Sequence, residues 1–237
     1  MQIWGHRGAS GEAPENTLPA IELALRQGAD GVEVDVQVSR DGRIVVLHDE
    51  TVDRTTDGKG AVKGLPWSTL QRLDASGGDN RFAGSRIPLL ADVLDLTRNA
   101  ILNIELKNDR VAYPGLEEQI LADIAAAGAA DRVVLSSFNR RSLTHLRHLG
   151  VSSSVGLLYH RPRLRPGREA QRLGATAVHP PLHSTTARLV RRIHRRGLPV
   201  HVWTVNDDDD VRRMARFGVD AVITDHPARV RDALGKR

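Results

Sequence analysis

One punctuation recurs along this chain and limits what it can fold into. A stretch with helical periodicity stops at a glycine, and a few residues later an apolar, β-branched run begins. It reads RQGADGVEVDV, AAGAADRVVLSS, HLGVSSSVGLL, RLGATAVHP, RRGLPVHVWTV and RFGVDAVITD. Glycine just past a helix supplies the left-handed cap. Strands that alternate with helices of about ten residues imply βαβ units around a parallel sheet. The expected strands are 3–5, 31–38, 101–106, 133–136, 155–158, 175–178, 200–204 and 221–224. Eight such units in a chain of 237 residues match a (β/α)8 barrel, which takes about 250 residues. A doubly wound open sheet is the alternative, but no GxGxxG follows the first strand.

Residues 50–87 interrupt the rhythm. DETVDRTTDGKGAVKG is rich in turn residues, LPWSTLQRLDAS reads as one short helix, and GGDNRFAGSRIP reads as loop. We expect a small insertion after the second strand region, inside a single domain spanning 1–237. Pro88 is then expected at the first position of a helix, where its missing N–H is tolerated. Near the N-terminus, Asn16 or Thr17 is the expected cap of the first helix.

Alternate side chains of a strand share a face. In GVEVDVQVS the valines Val32, Val34, Val36 and Val38 take one face, and Glu33, Asp35 and Gln37 the other. In LNIELK, Asn103, Glu105 and Lys107 oppose Ile104 and Leu106; in VHVWTV, His201 and Trp203 oppose the valines. Parallel sheets are covered on both sides, so the valines should meet helices and the carboxylates should point into the barrel. Burying unpaired carboxylates costs several kcal/mol each, on the order of the desolvation penalty for an ion. Glu33, Asp35 and Glu105 therefore need compensation. A hard divalent cation with oxygen ligands supplies it; a set of salt bridges to Arg7 and Lys107 is the competing explanation.

Two histidines stand out. His6 follows the first apolar run and His48 follows IVVL, so each is expected at the C-terminal end of an early strand. In a parallel barrel those ends form the active-site rim. Two histidines at one rim can supply one general acid and one general base, and histidine suits both roles near neutral pH. His145, His148 and His194 fall on helices and His160 and His183 in loops, and are assigned to surface or packing. His179 and His226, near late strand ends, are secondary candidates for the pocket lining. DDDD at 207–210 opens a helix, where carboxylates complement the dipole.

In this order and spacing, HRGASGEAPENT, GADGVEVDVQVSRDGRIVVLHD, RTTDGKG, IPLLADVL, NIELK, VVLSSF, VWTVN and DAVITDHP resemble the glycerophosphodiester phosphodiesterase family over essentially the whole chain. The resemblance implies a (β/α)8 barrel with an insertion after the HD motif. It implies hydrolysis of deacylated phospholipids to glycerol 3-phosphate and an alcohol, with Mg²⁺ or Ca²⁺ as cofactor. By motif, His6 and His48 become the acid–base pair, and Glu33, Asp35 and Glu105 the metal ligands. Arg7 and Lys107 hold the phosphate, and Phe138 and Trp203 wall the pocket. Gly8 is expected to let the backbone approach the phosphate closely.

Composition narrows the partners. The net charge of +5 rests on arginines in runs such as RRIHRRG, which read as solvated helix faces. With eight aromatic residues in all there is no basic–aromatic interleaving for stacking bases, so no nucleic-acid partner is expected. The absence of cysteine excludes disulfides and thiolate metal sites. No apolar run approaches the ~18 residues of a membrane helix, and no signal-like segment precedes His6. A cytoplasmic enzyme acting on a small-molecule glycerophosphodiester, without stable membrane association, is the expectation. An enzyme acting on intact or lyso-phospholipids and a non-catalytic phosphate-binding barrel are the rivals.

Overall fold

The computed structural model describes residues 1–236. The chain enters on β1 (Gln2–His6), α1 (Leu18–Arg26) and β2 (Gly31–Val38), then turns back on the short β3 (Ile44–Val46). After the insertion, which carries the one-turn helix α2 (Trp67–Leu70), come α3 (Leu90–Leu96), β4 (Ile101–Leu106), α4 (Leu116–Ala126) and β5 (Val133–Ser137). α5 (Arg140–His148), β6 (Ser154–Leu158), α6 (Pro166–Leu173), β7 (Ala177–His179) and α7 (Ala187–His194) follow. β8 (His201–Val202), α8 (Asp208–Phe217), β9 (Ala221–Thr224) and α9 (Pro227–Ala233) complete the chain.

All these strands except β3 are parallel and run in the order β7-β6-β5-β4-β2-β1-β9-β8. Parallel bridges from Val178 to Val200 and from Pro181 to Trp203 draw the two ends together into a nearly closed eight-stranded barrel. The expected eight units are all present. The six helix-ending glycines, Gly28, Gly128, Gly150, Gly174, Gly197 and Gly218, have φ between +58° and +81°. The caps read from the sequence therefore form where the punctuation placed them.

Alternation divides the interior in two. Val32, Val34 and Val36 are fully buried between barrel and helices, packed with Ile21, Ala24 and Leu90. Trp4, Val134, Ala221 and Ile223 form a separate cluster inside the barrel. At the mouth, register sets His6 beside Glu33, Glu33 beside Asn103, and Asp35 beside Glu105. Neighbouring strands thus carry carboxylates at matched heights on one face.

Two local expectations are corrected. Pro88 lies before α3, not in it: its carbonyl accepts from the Val46 N–H, while the Asp92 side chain accepts from the Leu89 N–H at 3.0 Å and closes the helix start. The helix expected over residues 65–76 shrinks to the four residues of α2, because Asp57, Asp74 and Ser76 take backbone amides into turns instead. Gly8 (φ +86°) is required by packing, since a Cβ there would sit 2.5 Å from the backbone of Ala20 on α1. Thr17, not Asn16, caps α1, accepting from Ala20 N–H at 3.4 Å. The insertion packs Val52, Val62, Leu70, Ala75 and Ile87 against Val45 of β3 and Leu47 in an apolar cluster separate from the main core.

Candidate active site

Where β1 ends, Arg7 adopts φ +55°, a left-handed conformation that costs a non-glycine residue roughly 1–2 kcal/mol. That conformation turns the Arg7 N–H onto Glu33 Oε2 at 3.0 Å. The guanidinium lies 3.1 Å from Asp35 Oδ2, off the hydrogen-bond axis, and donates to Glu15 Oε1 at 2.9 Å. Asn16 is also left-handed, at φ +59°, a conformation asparagine tolerates well. Its amide donates to Asp35 Oδ2 at 2.9 Å and its carbonyl accepts from Asp35 N–H at 3.2 Å. The loop after β1 is thereby fastened to β2.

Glu33, Asp35 and Glu105 are buried, and one oxygen of each lies within 4.8 Å of the others. Lys107 Nζ sits 2.9 Å from Glu105 Oε1 and 3.8 Å from Asp35 Oδ1. The salt bridges weighed from the sequence are therefore formed. Two side-chain cations face three carboxylates, which leaves a negative charge in excess. Burial and the adjacent Asp35 push Glu105 up to about 7; burial, Asp35 and Glu105 push Glu33 well above the usual carboxylate range. Burial opposes ionisation of Asp35 too, but Arg7 and Lys107 outweigh it and hold this carboxyl low. Three convergent oxygen donors short of positive charge are the donor set a hard divalent cation takes.

The histidines stand on different supports. His6 closes β1. His48 does not close a barrel strand: it follows β3, antiparallel to β2, which brings the chain back to the rim where Leu47 N–H binds the Asp35 carbonyl. Each ring is held through Nδ1 by a carboxylate, His6 by Asp225 at 2.6 Å and His48 by Asp49 at 2.6 Å. With Nδ1–H donated to a carboxylate, Nε2 is the nitrogen left to exchange protons. Asp225 also accepts from Ser10 Oγ at 2.9 Å and Asn206 Nδ2 at 2.6 Å. Burial opposes its ionisation, but His6 and these donors keep it well below the ordinary range. Asp49 is held low chiefly by Arg54, with His48 assisting against burial.

Phe138 and Trp203 stand 5.6 Å apart between ring centroids, edge to face, and His160 stacks on Phe138 at 4.0 Å. His160, assigned to surface or packing from its loop position, is thus part of this aromatic wall. His179 and His201 pair inside the barrel at 2.9 Å, and His226 packs under Gly11.

A family model described as the glycerophosphoryl diester phosphodiesterase family matches residues 6–229. The chain belongs to that family. It is a phosphodiesterase, a hydrolase of phosphoric diesters. A glycerophosphodiester phosphodiesterase of Caldanaerobacter subterraneus subsp. tengcongensis is 41% identical over 228 residues, covering 95% of this chain and 94% of that protein. Among solved structures, a phosphodiesterase of Oleispira antarctica in complex with the product sn-glycerol-3-phosphate superposes with a TM-score of 0.89 at 30% identity. The match covers 99% of this chain and 97% of that one. A glycerophosphodiester phosphodiesterase of Agrobacterium tumefaciens gives 0.85 at 31% identity, over 96% and 97% of the two chains.

Sequence reasoning missed the supports of this candidate site. Arg54, from the insertion, donates to Asp49 at 2.6 and 3.1 Å and to Glu15 at 2.7 and 2.8 Å. Glu15 in turn holds Arg7. Asp225 had a signal, a carboxylate directly after the last barrel strand. Arg54 had none among so many arginines.

Proposed function

We propose that the enzyme hydrolyses glycerophosphodiesters, the deacylated forms of phospholipids such as glycerophosphocholine or glycerophosphoethanolamine, to glycerol 3-phosphate and the free alcohol. One observation carries the reading: three buried, charge-deficient carboxylates at the barrel mouth, where two histidines are each set by a carboxylate. The whole chain acts as one catalytic unit, with 50–87 inserted in it. The product bound to the Oleispira relative supports the substrate class.

Glu33, Asp35 and Glu105 would hold Mg²⁺ or Ca²⁺. A divalent ion at such a site supplies Lewis-acid stabilisation of charge on a non-bridging phosphate oxygen. Arg7 and Lys107 bind the remaining phosphate charge and add stabilisation as it shifts toward the leaving oxygen. Of His6 and His48, one takes the proton of the attacking hydroxyl through Nε2. The other protonates the departing alcohol oxygen as its bond to phosphorus breaks. The sum is diester plus water to glycerol 3-phosphate plus alcohol. Phe138 and Trp203 exclude water from the apolar side of the substrate.

A coupled glycerol 3-phosphate assay over a panel of glycerophosphodiesters tests this, with EDTA treatment and Mg²⁺ or Ca²⁺ restored. Activity should vanish in EDTA and return with metal, and His6→Ala or His48→Ala should lose on the order of 10²-fold or more. Full turnover in EDTA, or by either variant, would sink the mechanism; turnover of micellar lysolipid alone would move the substrate to intact lipids.

A further inference from the structure

The arginine runs that read as solvated helix faces converge in three dimensions. Arg165, Arg168, Arg192, Arg195 and Arg196 line one groove of about 880 Å³ between α6 and α7, with no carboxylate among its lining residues. It adjoins a second hollow of about 680 Å³, which shares Arg165 and Arg168 and adds Arg163, Arg172 and Leu164. The one acid lining this surface is Glu169, already held by Arg140 at 2.6 Å and Arg163 at 3.7 Å. Among the described residues, none of the other six arginines makes an ion pair. Seven arginines against one glutamate give this surface +6, more than the +5 of the entire chain. The molecule's positive excess is therefore gathered on one side, and the rest is close to neutral.

In the midst of this charge, Leu164 is 89% exposed; the only other large apolar side chain among the described residues with substantial exposure, Leu149, is at 39%. The Leu164 carbonyl accepts from Arg192 at 3.0 Å, which ties the loop backbone to α7 while the side chain stands in solvent. Leu164 also lies four residues beyond His160 of the aromatic wall, which places it within about 14 Å of that wall along the chain. The groove has no aromatic lining on which a base could stack, whereas an apolar tip ringed by guanidiniums suits a headgroup–acyl boundary.

We propose that this face, built from the 161–165 loop and the α6–α7 groove, docks the enzyme reversibly on anionic phospholipid bilayers. No helix among the described residues is long and apolar enough to cross a membrane, so attachment is peripheral, with arginines on lipid phosphates and Leu164 in the interface. Resting on the substrate reading above, docking would hold the site mouth near a surface where deacylation of phospholipids releases its diesters. Vesicle binding is read without turnover, so docking and substrate class can fail separately.

The test is co-sedimentation of the full chain with vesicles of phosphatidylcholine alone or mixed equally with phosphatidylglycerol. Binding should require phosphatidylglycerol and be lost between ~0.1 M and ~1 M salt, as the Debye length falls from ~10 to ~3 Å. The double variant Arg168→Glu, Arg195→Glu alters side chains that make no hydrogen bond or ion pair among the described residues and should bind at least about 25-fold more weakly. Leu164→Asp should also weaken binding, and both variants should turn over soluble diester as the parent does. Absence of binding to anionic vesicles at low salt, or equal binding by parent and variants, overturns the proposal. So does displacement from the vesicles by an equal phosphate concentration of RNA, which would make the face a nucleic-acid surface.

Discussion

Arg54 shows how much of this site is held from outside its own strands. One guanidinium grips Asp49, which sets His48, and Glu15, which sets Arg7. Its planar fork suits two carboxylates at once in a way a lysine ammonium does not. The Arg54 side chain is 50% exposed, so its ion pairs contribute at most about 1 kcal/mol each to folding. Its effect should fall on catalysis instead. Arg54→Ala should lower kcat about 10- to 100-fold, as loss of groups that orient primary residues commonly does, with Tm almost unchanged; Arg54→Lys should recover only a minor part. Kinetics beside thermal melts check this, and a proportionate loss of stability and activity would reduce Arg54 to a structural tie. Glu33, Asp35 and Glu105 were conspicuous in the sequence because burial makes a polar residue on a strand stand out, and His6 and His48 because each ends an apolar run. Their supports were not: Asp225 meets His6 across 219 residues of chain, and no local pattern encodes such a pairing.

At the scale of elements, glycine was the legible signal, for a reason that Gly8 and Gly42 separate. Both have positive φ, +86° and +81°. At Gly42, in the turn between β2 and β3, a Cβ would meet nothing within 4 Å; at Gly8 it would strike Ala20 of α1 at 2.5 Å. Gly42→Ala should therefore cost only the left-handed penalty, about 1 kcal/mol. Gly8→Ala must also push α1 away from the loop that carries Arg7, and should cost at least about 2 kcal/mol, within the range for overpacking. Chemical denaturation of both variants measures the difference, and equal losses would show that α1 yields freely. Helix-ending glycines and eight apolar runs made the barrel readable, because each strand and helix repeats the same signal. IVVL was legible as a strand, but not as the antiparallel β3 outside the barrel. Its three residues form a strand only because β2 offers Val36 and Val38 as partners, a tertiary condition. The extent of α2 was set likewise by side chains capturing amides in the insertion.

The molecule as a whole stacks two polar layers in one lumen, carboxylates at the mouth and the pair His179 and His201 against Trp4. Burial lowers His201 to about 4, and lowers His179 well below its ordinary value with His201 adding to the effect. Unfolded, both titrate near ~6.5. Between pH 6.5 and 4 the unfolded chain thus binds protons that the folded chain refuses, so stability rises with pH across this window and falls on acidification. For His201 alone the loss approaches about 3 kcal/mol. Glu33 and Glu105 are shifted the other way: the folded chain binds their protons more readily, which lowers stability as pH rises through their range. The raw pH–stability curve therefore mixes opposing slopes, and a variant is needed to isolate the histidine. His201→Asn removes the titrating ring while leaving the mouth untouched. Urea unfolding at a series of pH values should find it less stable than the parent near pH 7, where the Trp4 contact is lost. That deficit should shrink by about 3 kcal/mol as pH falls to 4, because only the parent must then exclude the His201 proton. Parallel curves for parent and variant would mean that the barrel admits the proton, and that its lumen is far wetter than the close packing around His201 implies.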